Sequence, residues 1–335
     1  MAQRIIPLDE ASSAAALFGA FDVNIRIIEQ AFGVSTVTRD GGLVITGADG
    51  ACDAAAKTAE HIMELARRQG TVSEREVDYI IGMVSDGRED ELASFDSDTV
   101  CLTYRGKPIK AKTVGQKKYV DKIKNNTVTF GIGPAGTGKT FLAVGMAVGA
   151  LRRKETERII LTRPAIEAGE NLGFLPGDLQ SKIEPYLRPL YDALYEMLGM
   201  ETVGRYTERG VIEIAPLAYM RGRTLDNSFI ILDEAQNTTP EQMKMFLTRL
   251  GAGSKAVITG DLTQTDIPRG KKSGLADAIP VLEGIEGISV HTFDDRDVVR
   301  HRLVQRIILA YEKRDRSREK NEQHIYHKRA GQVSG

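Results

Sequence analysis

Six short apolar runs recur along the later part of the chain: TVTFGI at 127–132, RIILT at 158–162, VIEIA at 211–215, FIILD at 229–233, AVITG at 256–260 and ISVHTF at 288–293. They are rich in β-branched residues, short enough to be strands, and separated by helical stretches. That alternation predicts an α/β domain whose mostly parallel sheet is covered on both faces. Ligands of such sheets sit beyond the C-terminal ends of the strands.

Upstream the pattern changes. VNIRIIEQAF (23–32) puts Ile25, Ile28 and Phe32 on one face of a helix, and GVSTVTRDGGLVITG (33–47) reads as two short strands joined across Asp40, Gly41 and Gly42. A helix from Ala51 to Arg68 completes an α-β-β-α unit. Residues 71–97 are polar and partly helical, carry the charge cluster SDGREDE at 85–91, and read as a linker. TVCLTY and RGKPIK predict a hairpin around Gly106 that displays Arg105, Lys107, Lys110 and Lys112. The expected organisation is a small α+β domain over 1–70, a linker over 71–98, the α/β domain over 99–312 and a basic, flexible tail over 313–335.

A length of 335 residues agrees with two domains, the larger able to bury a full core. The net charge of −1 hides a segregation: residues 1–98 hold 8 Lys or Arg against 18 Asp or Glu, and residues 99–125 hold 8 against 1. The basic ribbon could follow a nucleic-acid backbone by neutralising phosphates, although a solvated positive face is the commoner fate of a charge run. Cys52 and Cys101 lie in unrelated settings, which argues against a disulfide framework or a thiolate metal cluster. His324 and His327 lack companion ligands and read as solvent-exposed. Asp9 and Glu10 interrupt any leader, and the longest apolar stretch, Phe141 to Leu151, is too short to span a bilayer. A soluble, cytoplasmic protein with no membrane partner is expected.

Candidate chemistry clusters at the strand ends. GPAGTGKT (133–140) fits G-x-x-x-x-G-K-[ST] and lies between the first α/β strand and an apolar helix, the order such a loop requires. Gly133, Pro134, Ala135, Gly136, Thr137 and Gly138 would cradle the phosphates of ATP with backbone N–H groups; Lys139 would reach the β and γ phosphates, and the Thr140 hydroxyl would ligate Mg2+. In FIILDEAQN, Asp233 would hold the metal's water shell, and Glu234 would orient or deprotonate the attacking water. In AVITGDLTQTD, Gln264 beyond the tip of the neighbouring strand would sense the γ-phosphate. The plain alternatives are a glycine-rich turn, a surface acidic pair and a polar loop.

As a set, GPAGTGKT, ILDEAQN and TGDLTQ resemble the first RecA-like motor domain of superfamily one helicases. TRPAIEAGENLGFLPGDLQSKIEPYLRPLYDAL (162–194) and DRDVVRHRLVQRIILAY (295–311) resemble signature stretches of the PhoH family, and the likeness runs from about residue 15 to 312. This resemblance implies a RecA-like P-loop NTPase domain with ATP and Mg2+, a glutamine at 116 that reads the adenine edge, and RNA as a partner. It also implies a KH-like fold for the N-terminal unit. The nucleotide-clamping G-x-x-G loop of KH domains has no counterpart there, and a packing or oligomerisation unit is the other reading. Only 102 residues follow Asp233, and they finish the first sheet, so a second motor lobe is not expected. An arginine finger would then come from the same domain or a neighbouring copy in a homo-oligomeric, hexameric ring. Arg300 is the first candidate, with Arg296, Arg163 and Arg188 behind it; each has the ordinary reading of an ion pair. The segment from Arg163 to Leu190 reads as a channel-facing loop or as an intersubunit packing element. The reading reached is an RNA-coupled ATPase. Its rival is a nucleotide-controlled adaptor that recruits an RNA-maturation endonuclease, and a small-molecule kinase is disfavoured by DEAQ and GDLTQ.

Overall fold

The computed structural model describes residues 1–8, 10–93, 99–164, 179–267 and 272–299, with the single positions 304, 307 and 314. The chain enters through β1 (Ala2–Pro7), α1 (Ala11–Phe18) and α2 (Val23–Phe32), then runs through β2 (Ser35–Arg39), β3 (Gly42–Gly47) and α3 (Asp49–Gln69). β3 pairs antiparallel with both β1 and β2, giving the order β1-β3-β2. α4 (Glu74–Ser85) starts at a capping box between Ser73 and Glu76, which satisfies backbone N–H groups that a free helix end leaves unpaired. The short α5 (Asp90–Ala93) follows.

Two sequence expectations change here. The segment read as a linker contains α4, and its Val77, Ile80 and Val84 share one core with Ile28, Leu43, Ile45 and Ile62. Its apolar residues fall at helical spacing, and the surrounding charges masked them in a compositional reading. Among the described residues, Ala11–Phe32, longer than Phe141–Leu151, is long and apolar enough by composition to cross a membrane. It is broken at Gly19–Asp22, where Phe21 and Asp22 take positive φ, and its Leu17, Ile25 and Ile28 are buried in the N-terminal core.

β4 (Thr99–Leu102) and β5 (Pro108–Lys110) form the hairpin, turning at Gly106 with φ +76°. α6 (Val114–Asn125) is capped by Thr113, whose side chain accepts from the Gln116 N–H. The remaining elements are β6 (Val128–Ile132), α7 (Lys139–Arg152), β7 (Arg158–Arg163), α8 (Leu179–Leu198), α9 (Met200–Glu208), β8 (Ile212–Pro216), β9 (Ser228–Leu232), α10 (Pro240–Leu247), β10 (Lys255–Gly260), α11 (Gly274–Leu282) and β11 (Ile288–Thr292). Each of the six apolar runs is therefore a strand. They build one sheet in the order β11-β6-β10-β9-β7-β8, with every pair parallel.

Successive residues of these strands enter opposite cores. Ile159, Leu161, Phe229 and Ile231 pack with α7 and α8, whereas Phe130, Ile160, Ile230 and Leu232 pack with α10 and α11. Burial on both faces is the reason the strands read as unbroken apolar runs. Phe130 is fully buried on the second face. Phe130→Ala is expected to cost about 3–5 kcal/mol, from lost transfer energy plus the cavity left behind. Chemical denaturation checks this; a loss below about 1 kcal/mol would mean that the face collapses around the gap.

Residues 1–297 pack as one unit. The Tyr79 hydroxyl accepts from the Val114 N–H at 2.8 Å, tying α4 to the start of α6. Lys118 pairs with Glu91, Arg88 with Asp294 and Arg296 with Asp86. Part of the charge segregation is thus used within the chain, although such exposed pairs each contribute only about 0.2–1 kcal/mol.

Candidate nucleotide site

The glycine loop emerges from β6 and feeds directly into α7. Gly133 has φ +147°, and a Cβ there would lie 2.7 Å from Cβ of Phe293, so only glycine fits between β6 and the end of β11. Gly138 caps α7 with φ +80°, and a Cβ there would lie 3.1 Å from Gln116 Nε2. Lys139 is the first residue of α7, where the helix dipole already favours an anion. Its Nζ donates to the carbonyls of Gly133 at 2.6 Å and Pro134 at 2.9 Å. The ammonium thus spans the rim of the loop that would cradle phosphates.

The acidic tip is not on the strand next to the loop. β10 lies between β6 and β9, so Asp233 stands two strands away from Gly133. Contact is made because α7 crosses the sheet and packs over β10, β9 and β7. Thr140 Oγ1 reaches Asp233 Oδ1 and donates to it at 2.6 Å. Thr259 Oγ1, from the intervening β10, donates to the same oxygen at 2.6 Å. Arg163, the last residue of β7, donates to Oδ2 through Nε at 2.7 Å and also through Nη2. Asp233 is 2% exposed, and these donors replace the water it has lost.

Glu234 has φ +53°, a conformation that costs a non-glycine residue energy and is kept where the surroundings enforce it. The turn sends its side chain out beside Asp233, 46% exposed, with Oε1 at 3.7 Å from Arg163 Nη2. Its Oε2 accepts from Gln236 Nε2 at 2.6 Å. Gln236 is itself buried: the same Nε2 donates to the Gln264 carbonyl at 3.1 Å, and its Oε1 accepts from the Asp261 N–H at 3.0 Å. One carboxamide therefore joins the tips of β9 and β10. Gln264 is exposed in the loop after β10 and is held there by its backbone.

Gln116 is buried and points at the loop. Its Nε2 donates to the Thr137 carbonyl at 2.9 Å, while its Oε1 accepts from the Lys112 N–H at 2.7 Å. The carboxamide keeps one donor hydrogen and one lone pair beyond these bonds. Behind it, Thr113 Oγ1 accepts from the Gln116 N–H and donates to Asp297 Oδ1 at 2.6 Å. Burial raises the Asp297 pKa above the ordinary carboxylate value, against the lowering effect of that Thr113 bond. His291 stacks on Tyr119 of α6, and burial pushes its pKa down to about 4, so it is neutral at pH 7.

Among the described residues, Arg163 is the candidate arginine brought to Asp233; Arg296 pairs with Asp86, and Arg188 is exposed on α8. Arg300 lies outside the described residues, as do 165–178 and the two tail histidines. Sequence reasoning passed over Thr259, Gln236, Thr113 and Asp297. Thr259, Gln236 and Asp297 sat inside quoted motifs, and a polar residue flanked by apolar strand ends was the one available signal.

The donor set fits a magnesium nucleotide. Thr140 Oγ1 and Asp233 Oδ1 are hard oxygen ligands lying together. That matches Mg2+, which is commonly held by one or two protein oxygens, phosphates and water rather than by a full protein cage.

The sequence profile described as PhoH-like protein matches residues 108–312. A PhoH-like protein of Bacillus subtilis is 51% identical over 315 residues, covering 94% of this chain and 98% of that one. A PhoH-like protein of Synechocystis is 47% identical over 308 residues, covering 92% and 94%. Protein PhoH of Escherichia coli is 48% identical over 207 residues, covering 61% and 58%. A phosphate loop facing an acidic strand tip, on a sheet of this order, together with likeness along nearly the whole chain, places this protein in the PhoH family.

Proposed function

We propose that this PhoH-family P-loop protein is a Mg2+-dependent ATPase that acts on RNA as a homo-oligomeric ring. The observation that carries the hydrolytic reading is the 2.6 Å bond between Thr140 and Asp233, which joins the phosphate loop to the acidic tip across an intervening strand. In this reading Lys139 neutralises charge developing on the phosphates, and the carboxamide of Gln116 meets the edge of the base. Thr140 and Asp233 would hold Mg2+, which supplies further neutralisation of the phosphate oxygens. Glu234 accepts the proton of the attacking water, and Gln264 touches the γ-phosphate and reports it to Glu234 through Gln236.

The RNA reading is supported by surface chemistry. The hairpin exposes Arg105, Lys107, Lys110 and Lys112. Tyr104, Arg105, Lys107, Tyr195, Glu196 and Met200 line a cleft of about 670 Å3 beside it. Tyr104 is 52% exposed, with the Arg105 guanidinium 5.1 Å from its ring centre. Aromatic faces and cations in one groove suit stacked bases and their phosphates. Assembly belongs to the same proposal: a neighbouring copy would supply the arginine that completes such a site.

One observation favours the adaptor reading. Ile5 and Val37 flank Val44 on the outer face of the N-terminal sheet and are 66% and 63% exposed, a row that a protein partner could cover. Phosphate release from Mg-ATP, titrated with single-stranded RNA at low salt alongside solution mass with and without nucleotide, separates the two. Stimulation of several-fold by RNA in an oligomer is expected. A rate indifferent to RNA across the whole titration would leave the adaptor standing.

A further inference from the structure

We propose that Arg163 is the resident counter-cation of the metal-holding carboxylate, and that it sets the Mg2+ concentration at which the site retains nucleotide. The proposal rests on the ATPase reading and assigns a positioning role within it.

The placement follows from strand order. β7 lies beside β9, with Thr162 opposite Leu232, and the Asp233 N–H donates to the Thr162 carbonyl at 2.9 Å. Arg163 is therefore delivered to the Asp233 side chain by the sheet register and not by a loop. Its side chain is 15% exposed and that of Asp233 is 3% exposed. The two carboxylate oxygens are divided between different donors. Oδ1 takes the hydroxyls of Thr140 and Thr259, and Oδ2 takes Nε and Nη2 of Arg163. Nη2 also lies 3.7 Å from Glu234, so one guanidinium serves both acids.

This division has an electrostatic consequence. A divalent cation held by Thr140 and Asp233 would share its carboxylate with a fixed positive charge in a poorly solvated pocket, where like charges repel more strongly than in water. The guanidinium is fixed in place by its bonds to Oδ2. It therefore opposes Mg2+, while it compensates two acids that would otherwise face each other at the strand tip. The arrangement trades metal affinity for an acidic pair that is partly compensated before nucleotide arrives.

The test is the Mg2+ midpoint for retention of a fluorescent, non-hydrolysable ATP analogue, compared among wild type, Arg163→Gln and Arg163→Lys. Arg163→Gln is expected to lower the midpoint about tenfold, and Arg163→Lys, which keeps the charge, to stay within about threefold of wild type. Arg163→Gln should also melt lower than wild type in EDTA and recover more on addition of Mg2+ and the analogue. If the single substitution does not fold, Arg163→Gln in a Glu234→Gln background removes one acid with the cation, and the same shift is expected against Glu234→Gln alone. Normal wild-type retention with an unmoved or raised midpoint in the Gln variant would overturn the counter-cation role alone. A wild type that retains no analogue at any Mg2+ concentration would overturn the ATPase reading and this one with it.

Discussion

Lys139→Ala is expected to reduce ATP turnover by about 10²–10³-fold, the loss typical when a preorganised charge aimed at a developing oxyanion is removed. The expectation follows from where the ammonium sits: at the first position of α7, bonded to the carbonyls of Gly133 and Pro134 at the mouth of the loop. Those bonds orient the loop as well as the charge, so weaker nucleotide binding should accompany slower turnover. Fluorescent nucleotide binding and single-turnover hydrolysis measured together distinguish the two contributions. A variant that turns over at close to the wild-type rate would remove this loop from the chemistry.

Glu234→Gln should give a different signature, with kcat down by about 10²–10⁴-fold and nucleotide affinity nearly unchanged. The bond to Gln236 Nε2 can be kept by an amide oxygen, and the groups fitted to the metal, Thr140 and Asp233, are untouched. What is lost is the capacity to accept a proton from water. A loss of binding equal to the loss of rate would mean that Glu234 holds ligand and does not prepare the nucleophile. Substitution of Asp233 is a poorer probe of the step, because its carboxylate also anchors Thr140, Thr259 and Arg163.

The two acids carry different burdens although they are adjacent in sequence. Asp233 closes β9 and stays buried among donors, whereas Glu234 turns through a left-handed backbone and projects outward. That separation is the structural reason the two roles can be probed independently. Gln236 then couples Glu234 to the loop bearing Gln264, so a contact at that loop can be felt at the Glu234 carboxylate.

Much of this was legible in the residues. The glycine, lysine and threonine spacing needs only a local turn into a helix, and the apolar runs needed only the rule that a strand buried on both faces carries no polar alternation. The hairpin around Gly106 was legible for the same local reason. That the partly helical linker packs into the core as α4 escaped because its apolar positions are spaced by charges, and β1 escaped because a short edge strand of mixed polarity leaves little signal.

Sequence alone determined the six strands of the parallel sheet, the phosphate loop and the acidic pair, since each depends on side chains a few residues apart. Only the tertiary structure decided that β10 comes between β6 and β9, that Thr259 and Arg163 converge on Asp233, and that Asp297 supports Thr113 and Gln116. Those partners are 26, 70 and 184 residues apart. Local pattern reports how a residue is buried but carries no record of which strand lies next to which. Strand order is settled by packing the two faces of the sheet together.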